Sequence, residues 1–394
     1  MGIRNVVGQA VRNEDYFHRP IEEKKLRNVI SSGSHVLISA PRRVGKTSLM
    51  FYLMDNPCEG CIYIYLITQS IYDSNAFYQK LHTALLDSGN VDDTIIITKK
   101  AKKMLASIIG QVDKVTVTAI GGVELKDGKE PNYQEECRKI LSSLNMKGNK
   151  LVIMIDEFPQ TVENIREKSE TEAIRFLQQF QELTKSPNLF GKVQFILTGS
   201  IGLENVVSRM QATKYITDLN SHPVGPLLEK EGVALIMELV EKMDFDITED
   251  VALEFLDLIK WNIPFYIQLL VQELNNLYLE EPFTWVDGTH FGKAFENAIK
   301  NRSYFLHWEE RLRKSFQKDG YKLAVEILDR IATRDTLSGN EIHDLAVKHS
   351  LEEDYKEVLR TLIYDGYINN DDDHAVYRFN SPLLQAWWRK NVTN

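Results

Sequence analysis

The chain has 394 residues and a net charge of −9, with 43% hydrophobic and 26% charged residues. That length exceeds one ordinary core and predicts two or three domains of soluble globular composition. The acidic balance excludes a general attraction to nucleic acid or anionic lipid, so any such binding must use a local patch. Residues 1–15 lack the apolar core of a secretory signal, and no apolar run approaches the roughly 20 residues that span a bilayer, which predicts a cytoplasmic protein without membrane contact.

Met1 to Asp15 gives way to Phe17-His18-Arg19-Pro20, and the first apolar run is His35 to Ser39. It leads through a loop into a helical stretch, Lys46 to Met54, as a buried strand feeding a helix does. Ile62 to Ile67, Leu151 to Ile155 and Val193 to Leu197 are further β-rich runs separated by helical or irregular sequence, which predicts a mainly parallel sheet with helices on both faces. Before the second run, Cys58-Glu59-Gly60-Cys61 has metal-ligand spacing, but a structural zinc site takes four ligands and the third cysteine, Cys137, stands alone. A turn leading into a buried strand accounts for the pair. Between Ile67 and Leu151 the alternation of Lys114 to Thr118, Gly121-Gly122 and Val123 to Leu125 predicts a β-hairpin inserted near 88–133.

From Pro226 the pattern turns helical: Leu228 to Met243, Asp250 to Ile259 and Pro264 to Tyr278 predict a small all-α lid. Three more amphipathic helices follow, at Tyr321 to Thr333, Ser338 to His349 and Glu352 to Tyr364, then two short strands around a polar tip between Tyr367 and Phe379. Helix, helix, helix, hairpin is the order of a winged helix.

Chemistry concentrates at three strand ends. Ala40-Pro41-Arg42-Arg43-Val44-Gly45-Lys46-Thr47 fits the phosphate-loop pattern G-x-x-x-x-G-K-[ST] except at its first position, where alanine replaces glycine. Gly45 lets the backbone curl so that successive N–H groups and the following helix N-terminus face phosphate oxygens. Lys46 is placed to neutralise the β- and γ-phosphates of ATP, and the Thr47 hydroxyl to ligate Mg2+. Leu151 to Ile155 ends in Asp156-Glu157: the first carboxylate is a candidate magnesium ligand and the second a general base for water. Phe195-Ile196-Leu197-Thr198-Gly199-Ser200 ends a third strand, where Thr198 or Ser200 can orient water or sense the γ-phosphate. A helix cap also explains those hydroxyls.

These elements and their flanks resemble the archaeal-type ATPase family, a branch of the AAA+ P-loop proteins close to the STAND signalling NTPases. The similar stretches are Phe17 to Pro20, Pro41 to Leu49 (including Ser48), Ile155 to Phe158, Leu197 to Ser200, Gly225 to Leu227, Pro264 to Leu270 and Arg378 to Leu383. The resemblance implies an α/β P-loop domain over 1–225, an all-α lid over 226–300 and a winged-helix domain over 301–394. It also implies that His18, Arg19 and Pro20 lie beside the adenine and that Pro264 touches the base from the lid, although Asn262 stands where the family has glycine. Arg209 follows the sensor strand at the distance of an arginine finger; a solvated helix face accounts for it better, and no oligomeric state follows.

Winged helices often bind DNA, yet residues 301–394 hold fourteen Lys and Arg against sixteen Asp and Glu, a balance of −2. Glu352-Glu353-Asp354 opens the helix that would enter the major groove, and Asp371-Asp372-Asp373 forms the wing tip, so phosphates would be repelled. Arg302, Arg311, Arg313 and Lys314, interleaved with Tyr304, Phe305 and Trp308, give either a basic and aromatic face or a connecting helix packed between domains. The sequence therefore points to an ATP-hydrolysing regulatory switch whose winged helix contacts protein or its own ATPase domain. A DNA-driven motor and a small-molecule kinase stand as alternatives.

Overall fold

A computed structural model describes residues 2–86, 95–97, 131–316 and 318–393. They divide into two compact units, one of Pro20–Ala40 with Lys46–Val224, the other of Met1–Arg19, Pro41–Gly45 and Gly225–Asn394.

The first of these is α/β. Its described elements are α1 (Pro20–Ser32), β1 (Val36–Ser39), α2 (Lys46–Asp55), β2 (Cys61–Ile67), α3 (Ser74–Leu86), β3 (Ile95–Ile97) and α4 (Tyr133–Ser143). β4 (Lys150–Asp156), α5 (Phe158–Lys168), α6 (Glu170–Thr184), β5 (Val193–Thr198), α7 (Leu203–Arg209) and β6 (Asn220–Pro223) follow. The strands order β3-β2-β4-β5-β1-β6; five run parallel, and β3 pairs antiparallel at the edge.

β-strand side chains alternate between faces. Ile62, Ile64, Leu66, Ile153, Ile155 and Phe195 bury one face in a core shared with Phe77, Phe158 and Phe176 of α3, α5 and α6. The other face is covered by α1 and α2: Gln194 donates to the carbonyl of Val29 at 3.4 Å, and the Phe51 ring lies 5.0 Å from that of Tyr65. A sheet covered on both faces explains why β2, β4 and β5 read as continuous apolar runs. The strands of the hairpin expected within 88–133, at 114–118 and 123–125, lie outside the described residues.

The second unit is mainly helical: α8 (Glu229–Val240), α9 (Glu249–Ile259), α10 (Pro264–Glu280), α11 (Gly288–Lys300) and α12 (Leu306–Ser315). Then come α13 (Lys318–Arg334), β7 (Leu337–Ser338), α14 (Gly339–Lys348), α15 (Tyr355–Asp365), β8 (Ile368–Asn369), β9 (Val376–Phe379) and α16 (Pro382–Asn391). The three short strands form one sheet, β7-β9-β8. Local sequence sets the helix ends: Thr248 caps α9, Ser338 forms a capping box with Glu341 at α14, and Gly366 at φ +87° ends α15.

An aromatic seam runs through this unit. Tyr266 of α10 stacks near Phe305 at 6.3 Å, Phe305 stacks on Trp387 of α16 at 5.2 Å, and Trp308 of α12 meets Tyr367 edge-on at 4.9 Å. Phe305 and Trp308 are fully buried, and Arg311 is buried in an ion pair with Asp365 at 2.5 Å. Arg302 and Arg313 both pair with Glu309. Phe305, Trp308 and Arg311 therefore pack inward, while Arg302, Arg313 and Lys314 stay exposed.

Candidate nucleotide site

β1 leaves the sheet between β5 and β6, while β2, the next strand in sequence, lies beyond β4. That change of direction places the loop after β1 where open α/β sheets bind ligands, at the carboxyl ends of the strands. Ala40 is buried, and the left-handed positions of the loop are Arg43 at φ +70° and Gly45 at φ +94°. The first position of the motif thus needs no glycine here. A Cβ built on Gly45 would meet nothing within 4 Å, so the loop leaves open space on that side.

Lys46 opens α2 and is buried, its ammonium donating to the Ala40 carbonyl across the loop at 3.1 Å. Thr47 follows, and its hydroxyl donates to Asp156 Oδ2 at 2.8 Å. Ser48 is buried in the same turn. Sequence reasoning missed a third partner: the Tyr65 hydroxyl, buried on β2, donates to the same Oδ2 at 2.8 Å. A tyrosine in the apolar run of β2 reads as core, and only its polar tip signals otherwise. Burial raises the Asp156 pKa, and neighbouring Glu157 raises it further; the bonds from Tyr65 and Thr47 and the charge of Lys46 oppose this.

β4 ends at Asp156, and the chain turns into α5 through Glu157 at φ +61°. A left-handed non-glycine residue costs on the order of 1 kcal/mol and persists where its surroundings hold it. The holding group is Ser200, whose N–H and hydroxyl both donate to Glu157 Oε2 at 2.9 Å. Between them Gly199 lies against Pro159, where a Cβ would come within 2.6 Å of the proline Cδ. Thr198 pairs in register with Asp156, and its fully buried hydroxyl has no hydrogen-bond partner among the described residues. The two hydroxyls left open by the sequence thus differ: Ser200 engages Glu157, and Thr198 does not.

The remaining candidates lie as follows. In the unit containing Pro41–Gly45, the Arg19 guanidinium donates to the carbonyls of Val44 at 3.3 Å and Gly225 at 3.1 Å. The Arg43 guanidinium donates to the Gly8 carbonyl and sits 4.9 Å over the Phe265 ring, next to Pro264 at the start of α10. Its pKa is lowered by burial and then by Arg42. His18 meets Tyr16 edge-on at 5.4 Å. Pro20 is the first residue of α1. Arg209, in the other unit, donates to Glu163 at 3.3 Å, which also binds Arg166 at 2.7 Å, so its nearest acid lies in its own chain.

A hydroxyl and a carboxylate converging at 2.8 Å are hard oxygen donors of the kind Mg2+ takes, and the buried ammonium and curled loop suit a phosphate chain. The residues present fit both groups.

No family model matches the sequence, and no curated protein does. Among solved structures, the Walker-type ATPase Paby2304 of Pyrococcus abyssi is similar over 98% of this chain and 99% of its own, at TM-score 0.66 and 19% identity. The ADP form of the Aeropyrum pernix ORC2 protein is similar over 95% and 92%, at TM-score 0.48 and 12% identity. Among the described residues no helix is long and apolar enough to cross a membrane. The five-stranded parallel sheet, its flanking helices and the likeness over nearly the whole of both chains give this chain the fold of that Walker-type ATPase.

Proposed function

We propose that the chain binds ATP with Mg2+, hydrolyses it to ADP and phosphate, and acts as a nucleotide-dependent switch of the STAND-like kind through a helical lid (226–300) and a winged-helix region (301–394). The observation that carries this reading is the 2.8 Å bridge from Thr47, at the start of the helix after the phosphate loop, to Asp156 at the end of β4. Magnesium would be held by Thr47 and Asp156 and would supply positive charge against the phosphates.

The chain's own residues do the rest. Backbone N–H groups of Arg42 to Ser48, at the α2 N-terminus, donate to phosphate oxygens, and Lys46 turns its ammonium from the Ala40 carbonyl to the phosphates. Thr47 and Asp156 would hold the cation. Glu157 takes the proton of the attacking water, and Ser200 fixes its carboxylate. Thr198 offers a buried hydroxyl beside Asp156. His18, Arg19, Pro20 and Pro264 are assigned to the base by resemblance to the family.

Charge favours a protein partner, or the chain's own ATPase region, over DNA. Glu352 and Glu353, ahead of α15, and Asp371, Asp372 and Asp373, at the tip of the β8–β9 hairpin, are all exposed. Steady-state ATP hydrolysis with and without duplex DNA, for the native chain and Glu157→Gln, tests the reading. Slow turnover that DNA does not change and that Glu157→Gln abolishes supports a switch. Strong stimulation by DNA supports a motor, and transfer of phosphate to an added metabolite supports a kinase.

A further inference from the structure

The turn joining α2 to β2 carries two thiols that nucleotide chemistry does not use. The N–H of Cys61 donates to the Cys58 carbonyl at 3.0 Å, closing a four-residue β-turn with Gly60 at φ +70°. Glycine at the third position suits such a turn. A β-turn brings its end Cα atoms within about 7 Å, and a disulfide spans about 4.4–6.8 Å, so the pair can bond without rebuilding the backbone. Cys58 is partly exposed and Cys61 buried.

A cation is fixed beside the exposed thiol. Arg27 of α1 donates to Cys58 Sγ at 3.8 Å; it is anchored by a 2.8 Å bond to the Asn56 carbonyl and lies 5.5 Å over the Tyr52 ring. An adjacent guanidinium favours thiolate, the nucleophilic form of cysteine. The neighbouring Cys61 thiol first, and the charge of Arg27 with it, lower the Cys58 pKa to about 5 against the opposing effect of burial. Cys61 is pushed up by its bond to Cys58 and by burial. A partly exposed low-pKa thiol beside a buried one is an attacking and resolving arrangement. Cys137 is fully buried with its thiol pushed up, and serves as an internal control.

The pair is separate from the nucleotide site. Cys61 faces Lys150 at the start of β4, whereas Ile67 faces Asp156 at its end, about 20 Å away at the ordinary rise of a strand.

We propose that Cys58 and Cys61 form a redox-active pair that reacts with a low-molecular-weight disulfide, Cys58 attacking and Cys61 resolving. The Cys58 thiolate attacks one sulfur of RS–SR; that S–S bond breaks, RS− departs, and a mixed disulfide stands on Cys58. Cys61 gives its proton to solvent, its sulfur attacks Cys58 Sγ, and the second RS− departs. The protein is oxidised by two electrons, and the small disulfide is reduced to two thiols, which take up the two protons released by the cysteines.

The test incubates the reduced full-length chain with oxidised glutathione, quenches with acid and reads intact and peptide masses. The native chain is expected to lose two hydrogens within the Cys58–Cys61 peptide, retain no glutathione there and leave Cys137 unmodified. Cys61→Ser is expected to stop at one glutathione on Cys58. Arg27→Gln is expected to slow the first step several-fold near neutral pH and little at alkaline pH, where the thiol ionises unaided. With the native chain alone, iodoacetamide is expected to alkylate Cys58 well below the usual thiol pKa. A lasting glutathione adduct on native Cys58, an unreactive Cys58, alkylation that follows an ordinary thiol pH profile, or an Arg27→Gln rate equal to native would each overturn the proposal.

Discussion

Ser200 donates both its backbone N–H and its hydroxyl to one oxygen of Glu157, each at 2.9 Å, and so couples the end of β5 to the residue after β4. If Glu157 is the general base, Ser200 orients it. Ser200→Ala keeps the N–H bond and loses the hydroxyl, so hydrolysis is expected to fall about tenfold. Glu157→Gln should lose about 100- to 10,000-fold, the usual contribution of such a base. Rate and nucleotide affinity measured together check this: both variants should bind ATP as the native chain does.

Tyr65 holds Asp156 Oδ2 alongside Thr47. When Thr47 turns toward a cation, Tyr65 is the side chain left on Oδ2, while the Glu157 N–H donates to Oδ1 at 3.1 Å. Tyr65→Phe should weaken Mg2+-dependent ATP binding by about tenfold, the worth of one hydrogen bond to a charged group, without changing Mg2+-free binding. Titrating a fluorescent ATP analogue at graded Mg2+ measures it; an unchanged Mg2+ dependence contradicts the role.

Gly199 has no room for a methyl group beside Pro159. Gly199→Ala is expected to cost about 1–3 kcal/mol, as overpacking does, and to displace Ser200 from Glu157. Urea unfolding reads the first effect and the hydrolysis rate the second. Loss of stability with full activity would separate packing from the site.

In the other unit, Arg311 and Asp365 form an ion pair with both side chains nearly sealed from water, and Ser315 completes the carboxylate. Asp365→Ala leaves the guanidinium buried without its counter-charge, which should destabilise by about 3–5 kcal/mol. Pairing it with Arg311→Met should recover most of that loss. Thermal unfolding of the single and double variants decides it.

β1, β2, β4 and β5 were legible because buried parallel strands are continuous apolar runs; the loop after β1 and Asp156-Glu157 stood out as a sequence pattern, and the fold brings Thr47 to Asp156. β6 was not: Asn-Ser-His-Pro is an edge segment held by backbone pairing with β1, which composition does not report. α11 was hidden by its two glycines, and α16 by a sequence dominated by two tryptophans. At the site, Tyr65 was missed because its hydroxyl meets a carboxylate 91 positions away. The choice between Ser200 and Thr198 depended on which hydroxyl turns toward Glu157, a matter of backbone path and not of residue type. The aromatic and basic residues at 302–314 were ambiguous for the same reason, since burial of Trp308 and Arg311 depends on partners near 365 and 387.

Calorimetric titration of MgATP into the native chain and into Lys46→Ala tests the central claim most directly. A saturable heat with the native chain, lost or weakened at least a hundredfold when the buried ammonium is removed, is the predicted result. Equal binding by both proteins, or no heat from either, would contradict it.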